Sequence, residues 1–343
     1  MNTEKKKRII IVFIFLSILF IFAVLINIVS GSVSFSLKDI LDICIGERTP
    51  STLEYNVLFK IRFPRILAAI LFGIALSISG FLLQTFFRNP IAGPYVLGIS
   101  SGARLFVGFI ILTNFTFNIA LNSLFLVFLA SAIGSLLSML LVLVFAKRVR
   151  DISILIVVGI MIGYIASAGT NFMIAFASDY KIAGLTMWSM GSFSGITWKM
   201  IRISSIIIIP SVIGVFCLSK PLQAYLLGEN YAKSMGVNIK NFRLVLIFLS
   251  SILSACVTGF AGPISFVGIA VPHLTRLTVS TSQPKILIPA VTLMGASFCL
   301  LSDYFARTLF APTELSLSTI TSMIGAPIVI WLMVGKNKKY GSI

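Results

Sequence analysis

The sequence contains little charge and very little acid. Only 11% of its 343 residues are charged, whereas soluble domains contain about 25%. Asp and Glu together number 10, while 58% of the residues are hydrophobic. This balance excludes an ordinary soluble domain and predicts an all-α integral membrane protein that contacts membrane lipids directly.

Motifs for nucleotide, metal and redox chemistry are missing as well. The sequence has no GxxxxGK[ST] loop to cradle ATP phosphates, so it predicts no ATPase activity of its own. Its single histidine, His273, has no second histidine or cysteine pair to complete a metal site. The four cysteines show no C-x-x-C spacing. No catalytic residue, metal or cofactor is therefore predicted.

The basic residues exceed the acidic ones by 17, but they occur in short clusters between long apolar runs. This pattern is typical of juxtamembrane anchors and does not favour nucleic-acid binding. An ion-coupled secondary carrier normally holds ionisable groups near mid-membrane. The nearest candidates, Asp303 and His273, are predicted toward helix ends. Such a carrier is disfavoured, although it stays open as a remote alternative.

Apolar runs of spanning length number about ten. They are predicted near 9–29, 65–87, 95–113, 121–146, 152–176, 199–219, 243–261, 264–279, 286–304 and 317–334. The first run is long enough to span and shows no A-x-A cleavage site, which favours a retained helix over a cleaved signal. An even count places the basic N-terminus and the C-terminal lysines on the same, cytoplasmic side.

Two segments on the predicted outer side stand out. Residues 30–60 form an extracytoplasmic loop, in which FSLKDILDI has the spacing of a short amphipathic helix on the membrane surface. In the second segment, SDYKIAGLTMWSMGSFSGITW, Trp188 and Trp198 are predicted to anchor at the membrane interface.

The predicted cytoplasmic segment 220–243 is polar, and it contains Gly228-Glu229 followed by Ala232 and Gly236. Small residues at helical spacing let another surface approach closely, so this segment is interpreted as a docking element. An ordinary solvated loop is the alternative that the pattern leaves open.

Two stretches echo one another. PRILAAILFGIALSISGFLLQTFFRNPIAGPYVLGI and FRLVLIFLSSILSACVTGFAGPISFVGI both run from an arginine through an apolar helix to Gly-Pro and Gly-Ile. The first begins outside and the second begins inside, as an inverted-topology repeat of a transporter requires. The echo therefore predicts such a repeat.

Seven motifs in this order resemble the FecCD-type family, the permease subunits of ABC importers for iron-siderophores, haem and vitamin B12. They are RFPR at 62–65, SGFLLQTFFRNPIAGPYVLGISSGA at 79–103, WSMGSF at 188–193, GENYAKSMG at 228–236, GPISFVGIAVPHLTR at 262–276, DYFAR at 303–307 and IGAPIVIWL at 324–332. Each is weak alone, but together they run across most of the chain, in the family's order and at its spacing.

The resemblance implies a type II ABC importer permease, with residues 1–343 forming one transmembrane domain in the cytoplasmic membrane. It also implies three kinds of partner: cytoplasmic ABC ATPase subunits, an extracytoplasmic substrate-binding lipoprotein and a second permease subunit, identical or sister. A ferric siderophore is the first expected substrate, with haem and cobalamin as alternatives. A membrane scaffold without transport activity is a further alternative.

Individual residues take roles from the same resemblance. ATPase coupling is implied for Gly228, Glu229, Ala232 and Gly236, and binding-protein docking for Arg62, Arg65 and Arg307. Arginine forks suit paired carboxylates on such a partner. Lipid-headgroup contact is the alternative for these arginines.

Two further groups of residues are assigned roles, one in the eighth predicted helix and one in the fifth. Pro272, His273 and Arg276 are expected at the cytoplasmic end of the eighth helix, as structural residues near the ATPase side. The resemblance places the fifth helix along the dimer axis, where Ser167, Thr170 and Asn171 offer neutral polar contacts to a passing substrate. Near the last helix, Ser316 and Ser318 replace residues that are often proline and glycine in the family, which puts that turn in doubt.

Overall fold

The computed structural model describes residues 3–31, 53–95, 97–113, 123–146 and 152–340. In this part of the chain there are ten long helices and no strand. The long helices are α1 (Thr3–Val29), α2 (Phe63–Phe87), α3 (Ile99–Thr113), α4 (Ser123–Ala146), α5 (Ile152–Ile174), α7 (Trp198–Cys217), α10 (Ile239–Ala261), α11 (Val267–Val279), α12 (Pro284–Thr308) and α13 (Leu317–Tyr340). Among the shorter helices of the described chain are α6 (Asp179–Ser189), α8 (Ser219–Leu227) and α9 (Glu229–Ser234), and a short helical extension precedes α2.

The ten long helices confirm the ten predicted runs. Seven helical segments in the described residues are long and apolar enough to cross a membrane, and α3 and the first part of α13 are shorter apolar helices. We call the end of the bundle where α1 begins the inner end, and the opposite end the outer end, following the predicted orientation. The predicted surface helix within 30–60 lies outside the described residues.

One predicted boundary near the outer end is wrong. The chain is already helical at Leu53–Asn56 and continues through a π-helical stretch, Val57–Arg62, into α2. This extension was predicted as loop. It is held because Tyr55 stacks on Phe59, Phe59 packs edge-on against Phe63, and Leu58 is fully buried.

Helix α3 is a half-length helix that begins deep inside the bundle. It was predicted from residue 95 but starts at Ile99, directly after Gly98. A β-carbon added to Gly163 would lie 3.2 Å from the Gly98 Cα. Gly163 is halfway along α5, about 16 Å from its first residue at 1.5 Å per residue. The start of α3 is therefore level with the middle of α5.

Helix α11 is the counterpart of α3. It was predicted from residue 264 but begins at Val267, because Phe266 takes a left-handed backbone conformation with φ of 62°. Only glycine pairs allow α2 to approach its neighbours as closely as it does here. Gly80 meets the backbone of Gly268 in α11, and Gly73 meets Gly295 in α12.

Helix neighbours follow the predicted inverted repeat. Helix α2 packs against α10, α11 and α12, just as α10 packs against α2, α3 and α4. Helix α3 contacts α4 and α5, and α11 contacts α12 and α13 in the same way. The segments α2–α5 and α10–α13 thus have matching neighbours, which agrees with the sequence echo.

The turn before α13 is well formed despite its departure from the family pattern. The Thr319 amide donates to the Ser316 Oγ at 3.2 Å, so Ser316 caps the first turn of α13. The Ser318 Oγ donates to the Pro263 carbonyl oxygen at 2.8 Å and ties the turn to the loop before α11. The two serines therefore supply contacts of their own at this turn.

Replacing Ser316 with alanine is expected to lower the free energy of unfolding by about 1 kcal/mol, because a helix-capping acceptor is lost. Ser178 is a matched control, since it precedes α6 without a side-chain capping bond. Ser178→Ala should change stability by less than about 0.5 kcal/mol. Equal losses for both variants in an unfolding titration in detergent micelles would contradict the capping role.

Candidate functional site

The outer end carries a cluster of ion pairs centred on Arg65. Arg65, in the first turn of α2, donates from Nε to Asp303 Oδ1 at 3.0 Å and from Nη2 to the same oxygen at 2.9 Å. It also pairs with Glu314, in the connection before α13. Arg307 lies one turn beyond Asp303 in α12, and its Nε is 3.2 Å from Asp303 Oδ2. The buried Asp303 carboxylate is thus flanked by two guanidinium groups.

Two arginines of this end hold the last turn of α1. The Arg62 Nη1 donates to the carbonyl oxygen of Ile28 at 2.5 Å. Arg307 donates to the Ser30 carbonyl at 3.2 Å and also to the side chain of Asn27. The cluster therefore joins α1, α2, α12 and the α12–α13 connection.

The structure brings the three predicted docking arginines together at one end of the bundle. It also turns them inward: Arg62 is only 5% exposed, and the side chains of Arg65 and Arg307 are 11% and 12% exposed. In the described residues these arginines contact acceptors of the chain itself, and their docking to a binding protein stays a prediction. Sequence reasoning missed the two acids, although Asp303 stands one helical turn before Arg307.

The segment predicted to couple to an ATPase folds as two short helices, α8 and α9, at the inner end. Gly228 separates them with φ of 135°, and Gly236 follows α9 with φ of 82°. L side chains rarely adopt such angles, and no atom lies within 4 Å of a β-carbon built at either position. These glycines are therefore required by the backbone path of the segment.

Ala232 and Glu229 have structural roles within this segment. Ala232 is fully buried in the core of the bundle, so its predicted role as a small surface residue for close approach of a partner is wrong. Its methyl group packs inward because α9 turns that face toward the bundle. Glu229 pairs with Arg243 at the start of α10, at 2.7 Å, and with Lys233 at 3.4 Å. It thereby fixes α9 against α10.

The solvent side of the same segment presents four large apolar side chains, of which three are the most exposed. Leu227, Tyr231 and Met235 are 66%, 48% and 63% exposed. They are spaced by four residues, so Tyr231 and Met235 lie on one side of α9 beside the end of α8. We call these three residues the α9 stripe. The stripe, rather than Ala232, is the surface of this segment that a partner can reach.

A cavity of about 390 Å³ lies beside α8 at the inner end. It is lined by Gln84, Arg88, Asn89, Pro90, Leu226, His273, Arg276 and Leu277. The structure thus places His273 and Arg276 at the predicted end of α11, with Pro272 buried one residue before. The Arg276 guanidinium lies over the Phe81 ring, and that of Arg88 over the Tyr225 ring.

The three predicted pathway residues of α5 face different surroundings. Asn171 is exposed, and the Ser167 Oγ is 3.5 Å from the Ser101 Oγ of α3. Thr170 is only 1% exposed and donates to the Ala166 carbonyl of its own helix. Its placement on an open pathway is therefore wrong for this chain, because α5 turns that face toward α3. Ser167 and Asn171 remain candidates.

Comparisons with known proteins converge on one family. The model of the FecCD transport family matches residues 19–335. The hemin transport system permease protein HmuU of Yersinia pestis is 33% identical over 83% of this chain and 85% of its own length. The vitamin B12 import system permease protein BtuC of Vibrio parahaemolyticus is 34% identical over 90% and 93%.

A solved structure shares the whole fold. It shows a metal-chelate type ABC transporter in an inward-facing conformation, with a TM-score of 0.82 and 29% sequence identity. The match covers 95% of this chain and 99% of that chain. The similarity therefore extends over nearly the full length of both chains.

Proposed function

This chain belongs to the FecCD transport family and is a multi-pass ABC importer permease, and we propose that it imports an iron complex, with a ferric siderophore as the first candidate. The observation that supports this proposal best is the end-to-end similarity to a metal-chelate type ABC transporter. The named relatives carry hemin or vitamin B12. Haem and cobalamin are accordingly the alternative substrates.

Importers of this family act with ATPase and binding-protein partners, and we propose that the ATPase docks on the α9 stripe. Leu227, Tyr231 and Met235 are exposed apolar anchors of the kind that dominate protein interfaces. The Glu229–Arg243 pair supports this role because it links α9 directly to the base of α10. A push on α9 would therefore reach a helix that packs against both α2 and α4.

Docking of the binding protein is proposed at the outer arginine cluster. Glu314 is the cluster's most accessible acid, with 36% of its side chain exposed, and it occupies the fork of Arg65. A carboxylate on the binding protein would exchange with Glu314, so that Arg65 keeps an anionic partner throughout. Leu309 and Phe310, which are 55% and 64% exposed beside it, offer apolar contact area for the same partner.

We also propose how the permease assembles with a second subunit and how it is oriented in the membrane. The exposed face of α5, which includes Tyr164, Ile165 and Asn171, is the proposed contact with a second permease subunit across the pathway. Residues 1–343 are proposed to be one domain of the cytoplasmic membrane, with both termini in the cytoplasm. Basic residues at the start of α1 support this orientation.

Uptake in a strain that lacks this protein tests the function directly. The strain is complemented with the wild-type chain and offered labelled ferric siderophores, haem and cobalamin in turn. We expect ATP-dependent uptake of one iron complex only in the complemented strain. Uptake that persists without the ATPase subunit would instead support a secondary carrier. No dependence of any compound on the protein would reject the importer assignment and favour a scaffold.

A further inference from the structure

Arg104 is a charged residue on the half-length apolar helix α3, and neither the sequence motifs nor the docking sites account for it. It is the sixth residue of α3, in the apolar sequence ISSGARLFVGFIILT. Its Nε is buried without a hydrogen-bond partner, and in the part of the chain that the structure describes its guanidinium has no acceptor or ion pair. An unpaired guanidinium among apolar helices is costly, and such residues usually serve transport.

The depth of Arg104 separates it from both ends of the bundle. The next residue, Leu105, packs against Gly169 of α5, which lies about 8 Å from the last residue of that helix at 1.5 Å per residue. Side chains on a helix lean toward its N-terminus. Because α3 begins near the middle of α5, the Arg104 side chain leans toward the centre of the membrane and away from the outer headgroups.

The side of α3 that carries Arg104 follows from its neighbours. Ser101 touches Ser167 on one flank of the α3–α5 contact, and Leu105 meets Gly169 on the other flank. Successive residues are rotated by about 100° around the axis of α3. Arg104, three residues after Ser101, therefore lies about 60° from it to one side, whereas Leu105 lies to the other side. It therefore borders the same groove as Ser167. Asn171 lies one turn further along that face of α5 and is exposed.

From this placement we propose that Arg104 contacts the substrate during passage and that the substrate is an anionic chelate. Carboxylate or phenolate oxygens on the cargo would supply the acceptors that the guanidinium lacks among the described residues. Ser167 and Asn171 would add neutral hydrogen bonds beside it. This inference rests on the proposed importer function and deepens it, since it adds a charge preference within the permease.

The test compares anionic and uncharged iron chelates in the same complemented strain. The probes are a labelled anionic ferric tris-catecholate, haemin with its propionates, and an uncharged ferric trihydroxamate. Wild type is compared with Arg104→Gln, Arg104→Lys and a control, Arg202→Gln, which removes an exposed arginine from α7. The readout is the ratio of anionic to uncharged uptake within each strain, because this ratio does not depend on how much permease is inserted.

We expect Arg104→Gln to lower this ratio by about tenfold or more, as for the loss of a charge-assisted hydrogen bond. Arg104→Lys should retain much of it, and Arg202→Gln should leave it unchanged. If only the anionic probes enter through the wild-type permease, the ratio has no denominator. The absolute uptake of the anionic probes is then compared between the strains at matched protein level.

Two results overturn the proposal while the importer function stands. One is that Arg104→Gln lowers uptake of charged and uncharged probes equally, or leaves both unchanged. The other is that the wild-type permease imports only the uncharged chelate. Absence of uptake for every iron probe in the wild-type strain would instead reject the proposed iron-import function itself.

Discussion

Replacing Arg65 with leucine is expected to lower the free energy of unfolding by about 3 to 5 kcal/mol, because the change strands the buried Asp303 carboxylate at the outer end. Asp303 is 1% exposed and loses its bidentate partner, and Glu314 loses its only ion pair in the described structure. Arg307 stays close to Asp303 at 3.2 Å, which favours the lower half of this range. Unfolding by denaturant in mixed micelles measures the loss.

Two further variants separate ion pairing from simple packing. Removing the acid as well, in Arg65→Leu with Asp303→Leu, should recover part of the stability, because the buried carboxylate is gone, although Arg307 then loses its own ion pair with Asp303. The control Arg202→Leu removes an exposed arginine and should change stability by less than about 0.5 kcal/mol. An Arg65→Leu loss below about 1 kcal/mol would show that the cluster is not a stabilising network.

Tyr231→Asp is expected to reduce uptake by about thirtyfold or more without unfolding the permease. Tyr231 is about half exposed in the free chain, so an aspartate there is well solvated until the ATPase docks. On docking it would be buried at the centre of the α9 stripe, at a cost that exceeds the roughly 2 kcal/mol that defines an interface hot spot. Co-purification of the ATPase subunit and substrate-stimulated ATP hydrolysis measure the effect.

Tyr180→Asp provides the matched control for this experiment. Tyr180 is 88% exposed and begins α6 at the outer end, far along the bundle from α9. The Tyr180 variant should retain the ATPase subunit as the wild type does. If both variants retain it equally, the α9 stripe is not the docking surface and the ATPase must engage other inner residues.

Variants of Gly228 and Gly236 would test the geometry of the segment that carries the α9 stripe. These glycines act through the backbone path and need not touch a partner. Their positive φ angles set where α9 begins and ends. Substitution at either glycine would change the path of the segment and thereby the direction in which the α9 stripe points. Loss of coupling in a glycine variant therefore reports on segment geometry, whereas loss in a stripe variant reports on contact.

Glu314 gives the outer cluster a property that an open arginine patch would lack. Because it already pairs with Arg65, a carboxylate of the proposed binding-protein partner would gain only the difference between its own contact and the one it displaces. Exchange of this kind suits a partner that must bind and leave in every transport cycle. The neighbouring apolar side chains of Leu309 and Phe310 would then supply much of the remaining binding energy.

The sequence alone determined the class, the number of helices and the family. Long apolar runs must be helices in a bilayer because no water is present to satisfy an open backbone, so ten runs became ten long helices in the described chain. Ordered motifs also placed Arg62, Arg65 and Arg307 at one end and Gly228 to Gly236 at the other. Arg104 was equally visible, as a lone charge inside the apolar sequence of α3.

Only the tertiary structure decided which way each side chain faces. Hydropathy measures how apolar a run is, but helix rotation depends on which neighbours pack against it, and that information is long-range. Contacts between distant segments thus buried Ala232 and Thr170, and they paired Arg65 with acids more than two hundred residues away. In the described part of the chain, the same contacts left the Arg104 Nε buried without a hydrogen-bond partner, on a helix that starts in mid-bundle.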